Sequence, residues 1–185
     1  SCNNIRHGII NIREALQSRY GNIPVDVEND ANCAALGEFY ASGCSNNFVF
    51  ITLGTGIGGG VIIGGKLLLG CNGTAAEFGH IVTHSGGRQC TCGRHGCYEM
   101  YASMTALTND AQEQSYTLNM DKRLIDGKSV FDKEETESKY AKRIIDRWLR
   151  EVAVGATSIV NIFQPEELVL GGAVTNRGDR ILKPL

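Results

Sequence analysis

Apolar residues recur along the chain with two periods, and each period predicts a type of element. Ile9, Ile12, Leu16 and Tyr20 fall three and four residues apart, while Arg6, Arg13, Glu14 and Arg19 lie largely off that stripe. The spacing predicts an amphipathic helix over residues 5–20, closed by Gly21. Residues 24–28 read as a short strand, and residues 31–40 as an Ala-rich helix ending near Gly43. The unbroken apolar run of residues 48–53 predicts a buried strand, interrupted by Gly54-Thr55-Gly56. Residues 60–63 and 66–69 then flank Gly64-Gly65, a hairpin signal.

The pattern loosens from Cys71 to Gly96, which reads as loop, and becomes helical over residues 97–112. Residues 113–136 are polar and weakly periodic, and predict an exposed connection. A long helix follows over residues 137–163, with Ile144, Ile145, Trp148, Val152 and Ile159 among its apolar positions, and Pro165 stops it. Residues 167–170 predict a strand ending at Gly171-Gly172, and a further helix begins near Asp179. No internal repeat interrupts this order, so the class is α/β with a mixed sheet.

Composition narrows the function classes. With 185 residues, 42% of them hydrophobic, the chain can bury one sizeable core, or two small lobes sharing one. A net charge of −2 implies no broad basic surface for nucleic acid. No apolar run approaches the roughly 20 residues of a spanning helix, so no membrane partner is expected. The start, Ser1-Cys2-Asn3-Asn4, is not a signal peptide and lacks Met, which predicts a piece of a longer protein. Seven Cys, at positions 2, 33, 44, 71, 90, 92 and 97, are an odd count with a tight final trio. That argues against a secreted disulfide framework and for a metal site in a reducing, cytoplasmic compartment. Asn72-Gly73-Thr74 matches a glycosylation sequon, a triplet common enough by chance to carry no weight.

Three constellations carry candidate chemistry. His80, Cys90, Cys92 and Cys97 suit a tetrahedral Zn²⁺, with Gly93 and Gly96 supplying the backbone freedom for a loop to wrap the ion. Four protein ligands leave no position for an activated water, so the zinc would be structural. His84 and His95 compete with His80 for the fourth place. The second constellation is Gly54-Thr55-Gly56-Ile57-Gly58-Gly59-Gly60, directly after a strand. Such a turn can present N–H groups to anionic oxygens; it also reads as a β-hairpin that needs glycines for a tight bend. Neither a Walker loop nor the dinucleotide fingerprint fits it. The third is Glu28-Asn29-Asp30-Ala31-Asn32 at a strand-to-helix junction. Asp30 there can take a proton from a hydroxyl and Asn29 can hold a neighbouring one; both residue types are equally favoured N-caps. Glu77 and Glu99, beside the cysteine cluster, could orient sugar hydroxyls, although Glu99 also suits the first turn of a helix.

Together these residues resemble the ROK family of bacterial repressors and sugar kinases, with a close match to its glucokinase-like members. The carrying motifs are Glu28-Asn29-Asp30-Ala31-Asn32, Leu53 to Gly60, Glu77-Phe78-Gly79-His80, Cys90-x-Cys92-Gly93-x-x-Gly96-Cys97-x-Glu99 and Leu170-Gly171-Gly172, spread from Pro24 to the end of the chain. The resemblance implies the actin-like ATPase (ribonuclease H-like) fold, with residues 1–44 a remnant of the small sugar-binding lobe and residues 45–185 most of the large lobe. It implies transfer of the ATP γ-phosphoryl group to the 6-hydroxyl of a hexose, glucose first. Asp30 would be the base and a sugar ligand beside Asn29, Glu77, His80 and Glu99, with His80 also holding zinc. Gly54, Thr55, Gly56, Gly58, Gly59 and Gly60 would line the ATP phosphates, with Mg²⁺ present, and Gly171 and Gly172 would lie near the adenosine. A homo-oligomer is implied as well. Family kinases begin with Asp-x-Gly-Gly-Thr, which residues 1–50 do not hold. The resemblance therefore implies a C-terminal part that lacks some of the phosphate cradle. The alternative function is the sugar-sensing half of a ROK repressor, which would carry a helix-turn-helix of about 60–80 residues upstream.

Overall fold

The computed structural model describes residues 10–21, 23–43 and 45–185. Helices α1 (Ile12–Tyr20) and α2 (Asp30–Ser42) precede strands β1 (Phe48–Leu53), β2 (Ile57–Ile63) and β3 (Lys66–Leu67). A long excursion with a 3₁₀ turn at Phe78–His80 leads to α3 (Glu99–Ala102), α4 (Met104–Glu113), α5 (Ser115–Leu118) and α6 (Gly127–Glu135). Helix α7 (Lys139–Phe163), strand β4 (Glu167–Gly171), a 3₁₀ turn at Ala173–Arg177 and α8 (Asp179–Leu182) complete the chain.

The sheet order is β3-β2-β1-β4. β1 runs antiparallel to β2 and parallel to β4, with Phe50 opposite Gly60 on one side and Val169 on the other. Side chains alternate across β1, and both faces are buried. Val49, Ile51 and Leu53 join Ile57 and Val61 in the larger core, against Tyr98, Val152 and Ile159. Phe48 and Phe50 point the other way with Ile62, against Ala35 of α2. Covering on both faces explains why residues 48–53 read as a continuous apolar run rather than an alternating one. Ile144, Ile145, Trp148, Val152 and Ile159 of α7 are all at most 3% exposed, so the stripe predicted for that helix is its buried face.

Four expectations need correction. Residues 23–29 form no strand: they join neither edge of the sheet and run as coil into the Asn29 cap of α2. The helical stretch 97–112 is broken at Ser103, whose backbone is extended and whose hydroxyl caps α4 by accepting the Ala106 N–H at 3.1 Å. β2 begins at Ile57 rather than Gly60, and β3 ends at Leu67. Residues 113–136 are not an exposed connection: Leu118, Ile125, Val130 and Phe131 are buried in the larger core. Two short helices and a 3₁₀ turn divide that segment, so no single period survives in its sequence.

In the first predicted helix, residues 5–9 lie outside the described residues. Of the rest, Ile12–Tyr20 forms α1, none of which is buried. Its described stability is local, including the Asn11 cap, whose Oδ1 accepts the Glu14 N–H at 3.3 Å and contributes about 1 kcal/mol.

Candidate active site and metal centre

Two cavities meet at the β1–β2 turn. The first, a cleft of ≈ 750 Å³, is lined by Asn29, Asp30, Thr55, Gly56, Glu77, His80 and Glu99, among others. The second, of ≈ 660 Å³, is lined by Met104, Lys128, Phe131, Ala173, Val174, Asn176 and Arg177. Both include Gly54 and Thr55 in their walls.

The polar wall of the first cleft begins at the N-terminus of α2. Asn29 is the N-cap, its Oδ1 accepting the N–H groups of Ala31 at 2.8 Å and Asn32 at 3.3 Å. Asp30 is the first helical residue and its side chain is exposed. Glu28 and Asn32 stand in the motif without a role assigned from the sequence. Glu28 Oε1 accepts both the Asn29 N–H, at 2.8 Å, and the Asn32 amide, at 3.0 Å. These two bonds, the Asn32 amide first, hold the Glu28 carboxyl below the usual carboxylate range. Asn32 itself is 2% exposed, and its Oδ1 lacks a donor among the described residues. A Glu and an Asn four apart across a helix start were the only signal for this clamp.

The turn that separates the cavities is polarised. The carbonyl of Gly54 accepts the Met104 N–H at 2.9 Å, that of Thr55 the Thr105 hydroxyl at 2.7 Å, and that of Gly56 the Gly54 N–H at 3.0 Å. The N–H groups of Thr55 and Gly56 have no partner among the described residues. A turn with its carbonyls occupied and N–H groups open favours an anion.

The glycines that follow have packing reasons. A Cβ at Gly59 would lie 2.1 Å from the Phe78 ring, and one at Gly60 would lie 2.5 Å from the Ala35 Cβ. Gly58 and Gly59 also line the cleft, whereas Gly60 does not. Gly171 and Gly172 abut Phe50 and the Leu53 carbonyl, and they lead into the Ala173–Arg177 turn on the wall of the second cavity. Lys128 and Arg177 of that cavity carried no sequence signal; tertiary folding alone brings them together.

His80, Cys90, Cys92 and Cys97 converge, with ligand atoms all within 4.8 Å of one another. The Cys92 and Cys97 sulfurs are 3.5 Å apart, and Cys90 Sγ lies 3.6 Å from His80 Nδ1. Zn–S of about 2.3 Å and Zn–N of about 2.05 Å give tetrahedral edges of about 3.8 Å for S···S and 3.6 Å for S···N, so the donor set fits the ion. Of the competing histidines, His84 is engaged by Thr83 Oγ1 at 3.0 Å, Glu151 at 3.5 Å and the stacked Tyr101 ring, and His95 is exposed. Gly96, at φ +84°, sits where a Cβ would be 1.6 Å from the His84 carbonyl oxygen, so no other residue closes the loop there. Burial pushes the Cys90 thiol up to about 12, while the Arg94 N–H and then its side chain pull Cys92 down to about 6.

The cluster is tied to both the cleft and the core. Glu99 Oε1 lies 3.1 Å from Cys90 Sγ and 3.6 Å from His80 Nδ1, while Glu99 Oε2 faces Gly56. Tyr98, next to Cys97, is 1% exposed and donates its hydroxyl to the Val152 carbonyl of α7 at 2.7 Å. The described cysteines are all free thiols.

The whole chain, residues 1–185, matches the ROK family. The chain belongs to that family. This ROK chain is 38% identical over 174 residues to the glucokinase of Halalkalibacterium halodurans, covering 88% of itself and 53% of that protein. It is 29% identical over 178 residues to the xylose repressor of Bacillus subtilis, covering 95% of itself and 44% of the repressor. It superposes with a TM-score of 0.83 on a ROK family glucokinase from Streptomyces griseus in complex with glucose and AMPPNP. That structure is 36% identical to it, and the match covers 93% of the ROK chain and 59% of the glucokinase. The mixed α/β architecture is the family's actin-like ATPase fold. The chain spans about half the length of these proteins. No helix among the described residues is long and apolar enough to cross a membrane.

Proposed function

We propose that the protein is an ATP-dependent hexose kinase, with glucose as the first candidate and the 6-hydroxyl as acceptor. One observation carries the reading: a polar cleft and a second cavity share the Gly54–Thr55 turn, whose neighbouring N–H groups are open. Phosphoryl transfer depends on positioning and charge stabilisation, and a donor and an acceptor on either side of one anion-binding turn supply the positioning.

In this reading Asp30 takes the proton from the attacking hydroxyl, and Asn29, Glu77, His80 and Glu99 hold the remaining hydroxyls. His80 has two ring nitrogens for two tasks: Nδ1 faces the thiols, which leaves Nε2 for the sugar. Gly54, Thr55 and Gly56 receive phosphate oxygens at the backbone, while Gly58 and Gly59 keep the wall of the cleft thin. Gly171 and Gly172 carry the Ala173–Arg177 turn toward the nucleotide base. Mg²⁺ accompanying ATP would neutralise phosphate charge. His80, Cys90, Cys92 and Cys97 would hold a structural zinc, fixing the loop that bears Glu99. Residues 1–44 belong, on the same proposal, to a small lobe and residues 45–185 to a large one, in a cytoplasmic homo-oligomer.

The xylose repressor match supports a second reading, a sugar sensor without chemistry. ADP release by the protein in its native length, with ATP-Mg²⁺ and a panel of hexoses, separates the two. Sugar-dependent turnover that vanishes in Asp30→Asn supports the kinase, and the best substrate names it. A folded, zinc-loaded protein that binds sugar and releases no ADP would establish the sensor instead.

A further inference from the structure

The N-terminal half of α7 carries a concentration of positive charge around a pocket that shares no lining residue with either cavity. Arg143, Arg147 and Arg150 are spaced by four and three residues, which puts them on one face of the helix. With Gln114 and Asp146 they line a pocket of ≈ 240 Å³ over the buried Ile144.

The nearby carboxylates are already committed. Asp146 is held by Arg180 at 2.7 Å and Lys142 at 2.9 Å. Asp110 is shared between Arg88 at 2.6 Å and Arg147 at 3.1 Å. Among the described residues, Arg143 and Arg150 donate no hydrogen bond and meet no carboxylate partner. Two guanidinium forks with all their donors open therefore flank a third that is only partly engaged. Like charges at helical spacing repel, and a multiply charged anion between them would reverse the sign of that interaction. The planar fork matches phosphate oxygens in a bidentate manner, and three such groups favour a multivalent oxyanion over a single carboxylate.

We propose that this pocket binds a phosphoryl-group anion, either inorganic phosphate or a small metabolite that carries one. The site is independent of the kinase reading and shares no residue with the cleft.

The test is titration of the ¹⁵N-labelled chain with inorganic phosphate, and separately with glucose 6-phosphate, at constant ionic strength. The signals followed are the arginine Nε–H groups and the backbone amides. Expected are saturable shifts at Arg143, Arg147 and Arg150. An Arg143→Gln/Arg150→Gln double variant should lose at least tenfold in affinity, while Arg143→Lys/Arg150→Lys retains part of it. Equal affinity for the two probes assigns recognition to the phosphoryl group alone; tighter glucose 6-phosphate adds a contact to its carrier, and either supports the site. Shifts that never saturate, that persist undiminished in the glutamine variant, or that are confined to the Thr55 and Gly56 amides would overturn it.

Discussion

Replacing Gly60 with alanine should loosen α2 from the sheet, although Gly60 itself does not line the cleft. A Cβ at this position would lie 2.5 Å from the Ala35 Cβ and 3.4 Å from the Ala31 carbonyl oxygen. Carbon–carbon contact is comfortable at about 3.5–4.0 Å, so the neighbour must retreat by roughly 1 Å or more. Ala35 is 0% exposed and has no rotamer to change, so the displacement falls on the backbone of α2. Overpacking of this kind costs about 1–3 kcal/mol, and the stiffer unfolded chain returns about 0.4–1 kcal/mol. The net loss is on the order of 1–2 kcal/mol. Gly54 is the control, since a Cβ there meets nothing closer than the Gly56 carbonyl oxygen at 3.9 Å. Gly54→Ala should stay within about 0.5 kcal/mol of wild type. Urea unfolding followed by the fluorescence of Trp148, the single Trp, measures both variants against wild type. A wild-type midpoint for Gly60→Ala, or an equal loss in Gly54→Ala, would refute the packing account and return Gly60 to a role in ligand approach.

Cys92→Ser should lower the zinc-to-protein ratio and, with it, the thermal midpoint and the sugar affinity, because the loop carries Glu99 and is sealed to α7 through Tyr98. Metal analysis and calorimetry check this; unchanged sugar affinity in a zinc-free variant would contradict it. Glu28 has a folded-state pKa held down by Asn32 and Asn29, so its contribution is present above the unfolded value of about 4.3 and is lost as pH falls through the folded value. Wild type should therefore lose stability on acidification from pH 5 to pH 3 more steeply than Glu28→Gln, as read from urea midpoints across that range. Parallel acid limbs in the two proteins would rule the clamp out as a source of pH dependence.

Much of the fold was legible because its signals are local. The continuous apolar run of β1, the stripe on α7 and the glycine pairs at strand ends each belong to one element, and a window of a few residues reveals them. The cysteine cluster was legible for the same reason, with three of its four members falling within eight residues. His80 was the exception. Three histidines were open by position, and only the folded chain shows His84 spent on Tyr101 and Glu151 while His80 turns Nδ1 to Cys90. Residues 113–136 failed for the opposite reason: Leu118, Ile125, Val130 and Phe131 share no single period, and long-range packing against the larger core is what buries them.

The sequence by itself determined which chemistry is available: carboxylates and an amide at a helix start, a glycine turn after a strand, and thiols spaced to wrap a metal. Those are short-range properties of spacing, side-chain type and backbone freedom. Tertiary structure decided how the parts are shared. It assigned Gly59 and Gly60 to the close approach of Phe78 and Ala35, and occupied the carbonyls of residues 54–56 while the Thr55 and Gly56 N–H groups stay open among the described residues. It also tied Asp146 to Arg180 and Lys142 and Asp110 to Arg88 and Arg147, which leaves Arg143 and Arg150 without a carboxylate partner among the described residues. Contacts between residues tens of positions apart leave no periodic trace in a chain, because each is fixed by the packing of whole elements.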